Sequence, residues 1–82
     1  RAPLTRAHAT DYAQACVRLS GHRTSITDWL DRIRSLGHTP EGVAALEAVL
    51  ADVARALGSP DPPKDPQALL EARLDEACHA HP

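Results

Sequence analysis

The apolar residues of this chain recur at intervals of three and four positions, the spacing that lines one face of an α-helix. In the second such segment the apolar stripe is Ile26, Trp29, Leu30, Ile33 and Leu36. Three other segments show the same period, so the pattern predicts an all-α domain over residues 1–82, a four-helix bundle. The predicted helices are residues 6–20, 26–36, 40–57 and 66–79.

Local signals at the segment ends support this division. Thr39-Pro40-Glu41 places a capping hydroxyl before a proline in the first helical turn, followed by an acid that complements the helix dipole. Asp65-Pro66 repeats this kind of start. Gly21, Gly37 and Gly58 follow the last apolar positions of the first three segments, where glycine commonly ends a helix.

The connection before the last helix is rich in proline. Residues 59–65 read SPDPPKD, and their three prolines cannot continue a helix and favour an extended, stiff conformation. The short connections elsewhere predict antiparallel neighbours and hence an up-down bundle. A stiff connection of this length could also cross the bundle, so a crossover stays an alternative topology.

The composition suits helices better than strands. The 82-residue chain is 43% hydrophobic but has no Phe or Met, one Trp and one Tyr. The core must therefore be mostly Leu, Val, Ile and Ala, and Leu and Ala are strong helix formers. No apolar run is long enough to span a bilayer, so we expect a soluble protein without a membrane span.

The chain begins at Arg1 and contains no Met. This start indicates a domain excised from a longer protein or a subunit that has lost a transit peptide. We expect the thiols to be reduced, as in the cytoplasm or an organelle matrix.

Cys16 and Cys78 fall near the C-terminal ends of the first and fourth segments. In an up-down bundle those ends lie at opposite poles, too far apart for a disulfide, which predicts two free thiols acting as small core residues. The crossover topology would reverse this expectation.

The C-terminal Cys78, His79 and His81 have the composition of a metal-binding tract. A structural zinc site needs four ligands, usually from two elements, and the other histidines are scattered singly, so we predict no metal site. The chain also lacks a glycine-rich phosphate loop, a paired-carboxylate pattern and a nucleophile with a nearby base. We therefore expect no cofactor, no small-molecule substrate and no enzymatic activity.

The formal net charge of −2 is unevenly distributed. Residues 1–38 carry six arginines against three aspartates, whereas residues 39–82 carry three basic residues against eight acidic ones. The simpler consequence is attraction between the two halves across the bundle, and the alternative is a basic face for an acidic partner. Binding to nucleic acid is the less favoured case, because the start of the third helix offers no side chain that reads bases.

Trp29 and the arginines of the basic half are the candidate partner-binding residues. Trp29 belongs to the apolar stripe, which favours a core position, but Trp and Arg are also enriched at the centres of protein interfaces. The candidate residues are Trp29, Arg32, Arg34, Arg18 and Arg23.

The third helix has apolar residues on more sides than one neighbour requires. It therefore predicts a non-catalytic docking or assembly module, or a small accessory subunit, that binds another protein or self-associates. The alternative is a small nucleic-acid-binding regulatory domain that uses the basic N-terminal half.

Overall fold

The computed structural model describes residues 6–21 and 25–82, and the regular structure in those ranges is entirely α-helical. The helices are α1 (Arg6–Ser20), α2 (Ile26–Gly37), α3 (Pro40–Leu57) and α4 (Pro66–Ala80). The predicted all-α four-helix bundle is confirmed. α1 and α3 have the predicted bounds, and α2 and α4 each end one residue later than predicted. No helix in the described ranges is long and apolar enough to cross a membrane.

The directions of the helices follow from side chains that meet between α2 and α4. Asp28, near the start of α2, lines a groove together with Gln67, near the start of α4. Further along both helices, Arg32 contacts Asp75. α2 and α4 therefore run parallel, as alternate helices do in an up-down bundle, and the short α2–α3 turn makes α3 antiparallel to both. These contacts favour the up-down topology over the crossover alternative.

The core draws apolar side chains from all four helices. The buried residues that pack together are Ala9, Ala13, Cys16, Trp29, Ile33, Leu36, Leu46, Val53, Leu70 and Leu74. Trp29 is the largest of them, and none of the large hydrophobic side chains among the described residues is exposed. The stripe of α2 therefore faces the interior, as its spacing predicts.

The helix starts at α3 and α4 use the predicted caps. Thr39 Oγ1 accepts a hydrogen bond from the Gly42 N–H at 3.0 Å, and Asp65 Oδ1 accepts one from the Ala68 N–H at 3.2 Å. At the end of α1, Gly21 has a φ of 83°, a left-handed conformation that favours glycine over residues with a Cβ atom.

Two other glycines act differently from the prediction. Gly37 is the buried last residue of α2, so the residue that caps the helix is His38 and not Gly37. Gly58 ends α3 with a φ of −89°, so it is not the left-handed cap that glycine commonly provides. The proline-rich connection is also not one extended segment, because the chain bends at residues 59–61 and again at residue 64.

Gly42 lies where the first turn of α3 passes close to the end of α2. A Cβ atom on Gly42 would be 1.9 Å from the carbonyl oxygen of Leu36, a distance that no pair of non-bonded atoms tolerates. The tight turn between α2 and α3 therefore requires glycine at this position. The sequence carries a signal for this close approach, namely a glycine inside an otherwise helical pattern.

Candidate functional site

Trp29 is fully buried in α2, at 0% exposure. The guanidinium of Arg32 lies over its indole ring, with Cζ 5.6 Å from the ring centroid, which is within the range of a cation–π interaction. The i, i+3 spacing on α2 brings the two side chains to one face. Among the described residues the indole Nε1 finds no hydrogen-bond partner. In the free chain Trp29 is therefore a core residue and does not offer its ring to a partner.

Arg32 also connects α2 to α4. Its Nε donates to Oδ1 of Asp75 at 3.0 Å, and its side chain is 31% exposed. The Cys78 thiol makes a weak contact of 3.9 Å with the Arg32 carbonyl oxygen. The ion pair joins the basic half of the chain to the acidic half, as the charge distribution predicts, whereas the Asp52–Arg55 pair lies within one helix.

Neither Arg18 nor Arg34 takes part in the contacts that Arg32 makes with the described residues. Arg18 is exposed on α1 and Arg34 is exposed on α2. Neither of the two has an ion-pair partner within the described ranges. Arg23 lies outside the described residues. A role for these arginines in partner binding stays a prediction, and Arg32 is already committed to contacts inside the bundle.

A groove of about 460 Å³ lies beside Arg32, between α2 and α4. The residues that line it are Asp28, Asp31, Arg32, Gln67 and Glu71. Two of its polar groups bond each other, since Gln67 Nε2 donates to Glu71 Oε1 at 3.1 Å. The carboxylates give the groove a negative potential, which favours cations over anions.

The sequence did not single out the acidic residues of this groove. They lie at helical spacing on the polar faces of two separate helices, so each pair resembles an ordinary solvated face. The residues of the two helices line one groove because α2 and α4 run parallel and their first turns lie side by side. This arrangement is a property of the assembled bundle.

The second surface of interest is the outer face of α3, opposite the buried Leu46 and Val53. We define the outer face as the exposed residues Glu41, Ala44, Glu47, Ala48, Ala51, Asp52, Ala54 and Arg55. The alanines at 44, 48 and 51 form a row along its middle, because residues three and four apart are neighbours on a helix surface. Side chains this small let another helix approach closely.

The charges on the outer face of α3 are mostly negative. It carries three carboxylates and the guanidinium of Arg55, which forms an ion pair with Asp52 one turn before it. The outer face therefore combines small apolar side chains along its middle with acidic margins.

Cys16 and Cys78 are both free, as predicted. Their predicted placement at opposite poles is wrong, because both thiols lie near Arg32. Cys78 contacts its carbonyl oxygen, and Cys16 is close enough to feel its charge. Burial raises the pKa of the Cys16 thiol to about 11, and the positive charge of Arg32 partly opposes this rise. A thiol with such a pKa is almost fully protonated at neutral pH and is a poor nucleophile.

The C-terminal tract is part of α4 as far as Ala80. His79 Nδ1 lies 2.8 Å from the carbonyl oxygen of Asp75, one turn earlier. Within residues 6–21 and 25–82, no group of three His, Cys, Asp or Glu side chains is arranged to hold a metal ion.

No family model matches the chain, and comparison with curated proteins and with solved structures found no match. The class that the structure defines is the all-α four-helix bundle.

Proposed function

We propose that this chain is a non-catalytic docking domain that binds a helix of another protein along the outer face of α3. The observation that supports the proposal is the row of exposed alanines, Ala44, Ala48 and Ala51, on the side of α3 that faces away from the core. These side chains are exposed and do not pack into the core. Apolar residues therefore lie on the outer side of α3 as well as on its buried side.

The small size of these side chains defines what the partner must supply. The described surface offers no large hydrophobic side chain, so α3 cannot insert an anchor into a partner. A row of alanines instead leaves shallow holes that the larger side chains of a second helix can fill. The partner is therefore an amphipathic helix that presents Leu-sized residues at intervals of three and four.

The acidic margins of the outer face favour a partner helix with lysines or arginines beside its apolar stripe, because complementary charge speeds encounter and disfavours wrong partners. A second copy of this chain would bring the carboxylates of its own outer face, Glu41 among them, against those of the first copy. The charges therefore favour a different protein over self-association.

The proposal can be tested with the whole chain as bait and two matched double variants. Ala48→Gln with Ala51→Gln places long polar side chains on the outer face of α3. Ala68→Gln with Ala72→Gln places the same side chains on exposed positions of α4. Glutamine is a good helix former, so both variants should fold, which circular dichroism checks.

We expect the wild-type chain and the α4 variant to retain the same protein from an extract of the source cells. The α3 variant should retain at least about tenfold less of it, equivalent to about 1.4 kcal/mol. Equal retention by all three baits would refute the proposed surface.

Light scattering on the purified chain distinguishes a second copy from a different partner. We expect a monomer for the wild-type chain and for both double variants. A wild-type dimer that the α3 substitutions dissociate would show that a second copy covers the outer face, against the heterologous partner proposed here.

A further inference from the structure

We draw no further inference here: the strongest candidate, the groove between α2 and α4 lined by Asp28, Asp31, Arg32, Gln67 and Glu71, is an acidic cluster for which nothing in the described part of the structure shows what ligand would enter it.

Discussion

Arg32 makes three contacts from one position in α2. Its guanidinium lies over the Trp29 ring and pairs with Asp75, while its carbonyl oxygen meets the Cys78 thiol. An isolated surface ion pair contributes little, because ordering two long side chains offsets most of the attraction. Here the buried ring already restricts the guanidinium, so the ion pair needs less additional ordering. We therefore expect Arg32 to matter more to stability than Arg34, the other arginine of α2.

Replacing Arg32 with alanine should lower the free energy of unfolding by about 1–2 kcal/mol, because the stacking and the ion pair are lost together. Asp75→Asn should lower it by less than about 1 kcal/mol, because it removes the ion pair alone. Urea denaturation measures both. The matched control is Arg34→Ala on the exposed side of α2, expected within about 0.5 kcal/mol of wild type. An equal loss for Arg32→Ala and Arg34→Ala would contradict this account of Arg32.

Because burial raises the pKa of the Cys16 thiol, we expect the stability of the folded chain to fall at alkaline pH. The pKa of this thiol is about 11 in the folded chain against an ordinary value of 9.0, so folding favours the protonated thiol. This contribution is fully present below pH 9 and is lost as the pH rises through 11. The stability difference between the wild-type chain and Cys16→Ala should therefore shrink between those two pH values.

Urea midpoints of the two chains at pH 8 and at pH 10.5 would measure this change. Every other titratable group is present in both chains, so its effect cancels in the difference. A difference that stays constant across this pH range would show that burial does not hold the Cys16 thiol in its protonated form.

At the scale of the helices, local signals account for most of the fold. The stripe of α2, the Thr39 and Asp65 caps and the glycine after α1 all act over a few residues, and the structure has each of them. How far each helix is shifted along its axis relative to its neighbours depends on side-chain packing across the whole bundle. For this reason the common neighbourhood of Cys16 and Cys78 around Arg32 was not predictable from the sequence.

Of the two candidate surfaces, one could be predicted from the local sequence and the other could not. The exposed alanines of α3 were predictable, because surplus apolar residues on one helix can be counted from its period. The groove between α2 and α4 was not, because no local signal says which polar faces will meet. The burial of Trp29 followed from its stripe, but the stacking of Arg32 on it depends on which rotamer the bundle selects.

Substitutions at Gly42 and Gly58 test whether the start of α3 requires glycine and whether its end tolerates alanine. Gly42→Ala forces a Cβ atom against the Leu36 carbonyl oxygen and should lower the free energy of unfolding by about 1–3 kcal/mol or more. At Gly58 the nearest atom to an added Cβ is 3.7 Å away and φ is negative, so alanine fits without strain.

Because alanine also restricts the unfolded chain, Gly58→Ala should raise the free energy of unfolding by about 0.4–1 kcal/mol. Thermal or urea unfolding of both variants would check the signs. A Gly42→Ala variant at least as stable as the wild type would mean that the close approach of α3 to Leu36 does not constrain the turn. A destabilised Gly58→Ala variant would mean that alanine does not fit at the end of α3.

At the scale of the whole molecule, only two of the candidate arginines that the structure describes, Arg18 and Arg34, lack a partner inside the bundle. Arg18 and Arg34 lie on different helices, and Arg32 is held between Trp29 and Asp75. Nucleic-acid binding needs several cations placed along a phosphate backbone. We therefore expect the chain to pass through heparin and duplex-DNA columns without retention at low salt.

Retention that falls steeply as salt is added would support the nucleic-acid alternative and count against the docking proposal. If retention occurs, Arg18→Gln with Arg34→Gln should be compared with the Ala68→Gln, Ala72→Gln variant. A loss of retention confined to the arginine variant would place the nucleic acid on the basic N-terminal half.

The measurement that tests the docking proposal most directly is a map of the partner's contacts on the isotopically labelled chain. When the captured protein is added, we predict that the largest amide chemical-shift changes fall on Ala44, Ala48 and Ala51, with small changes at Ala68 and Ala72. Changes concentrated on α1, or along the groove between α2 and α4, would contradict the proposal that the outer face of α3 is the docking surface.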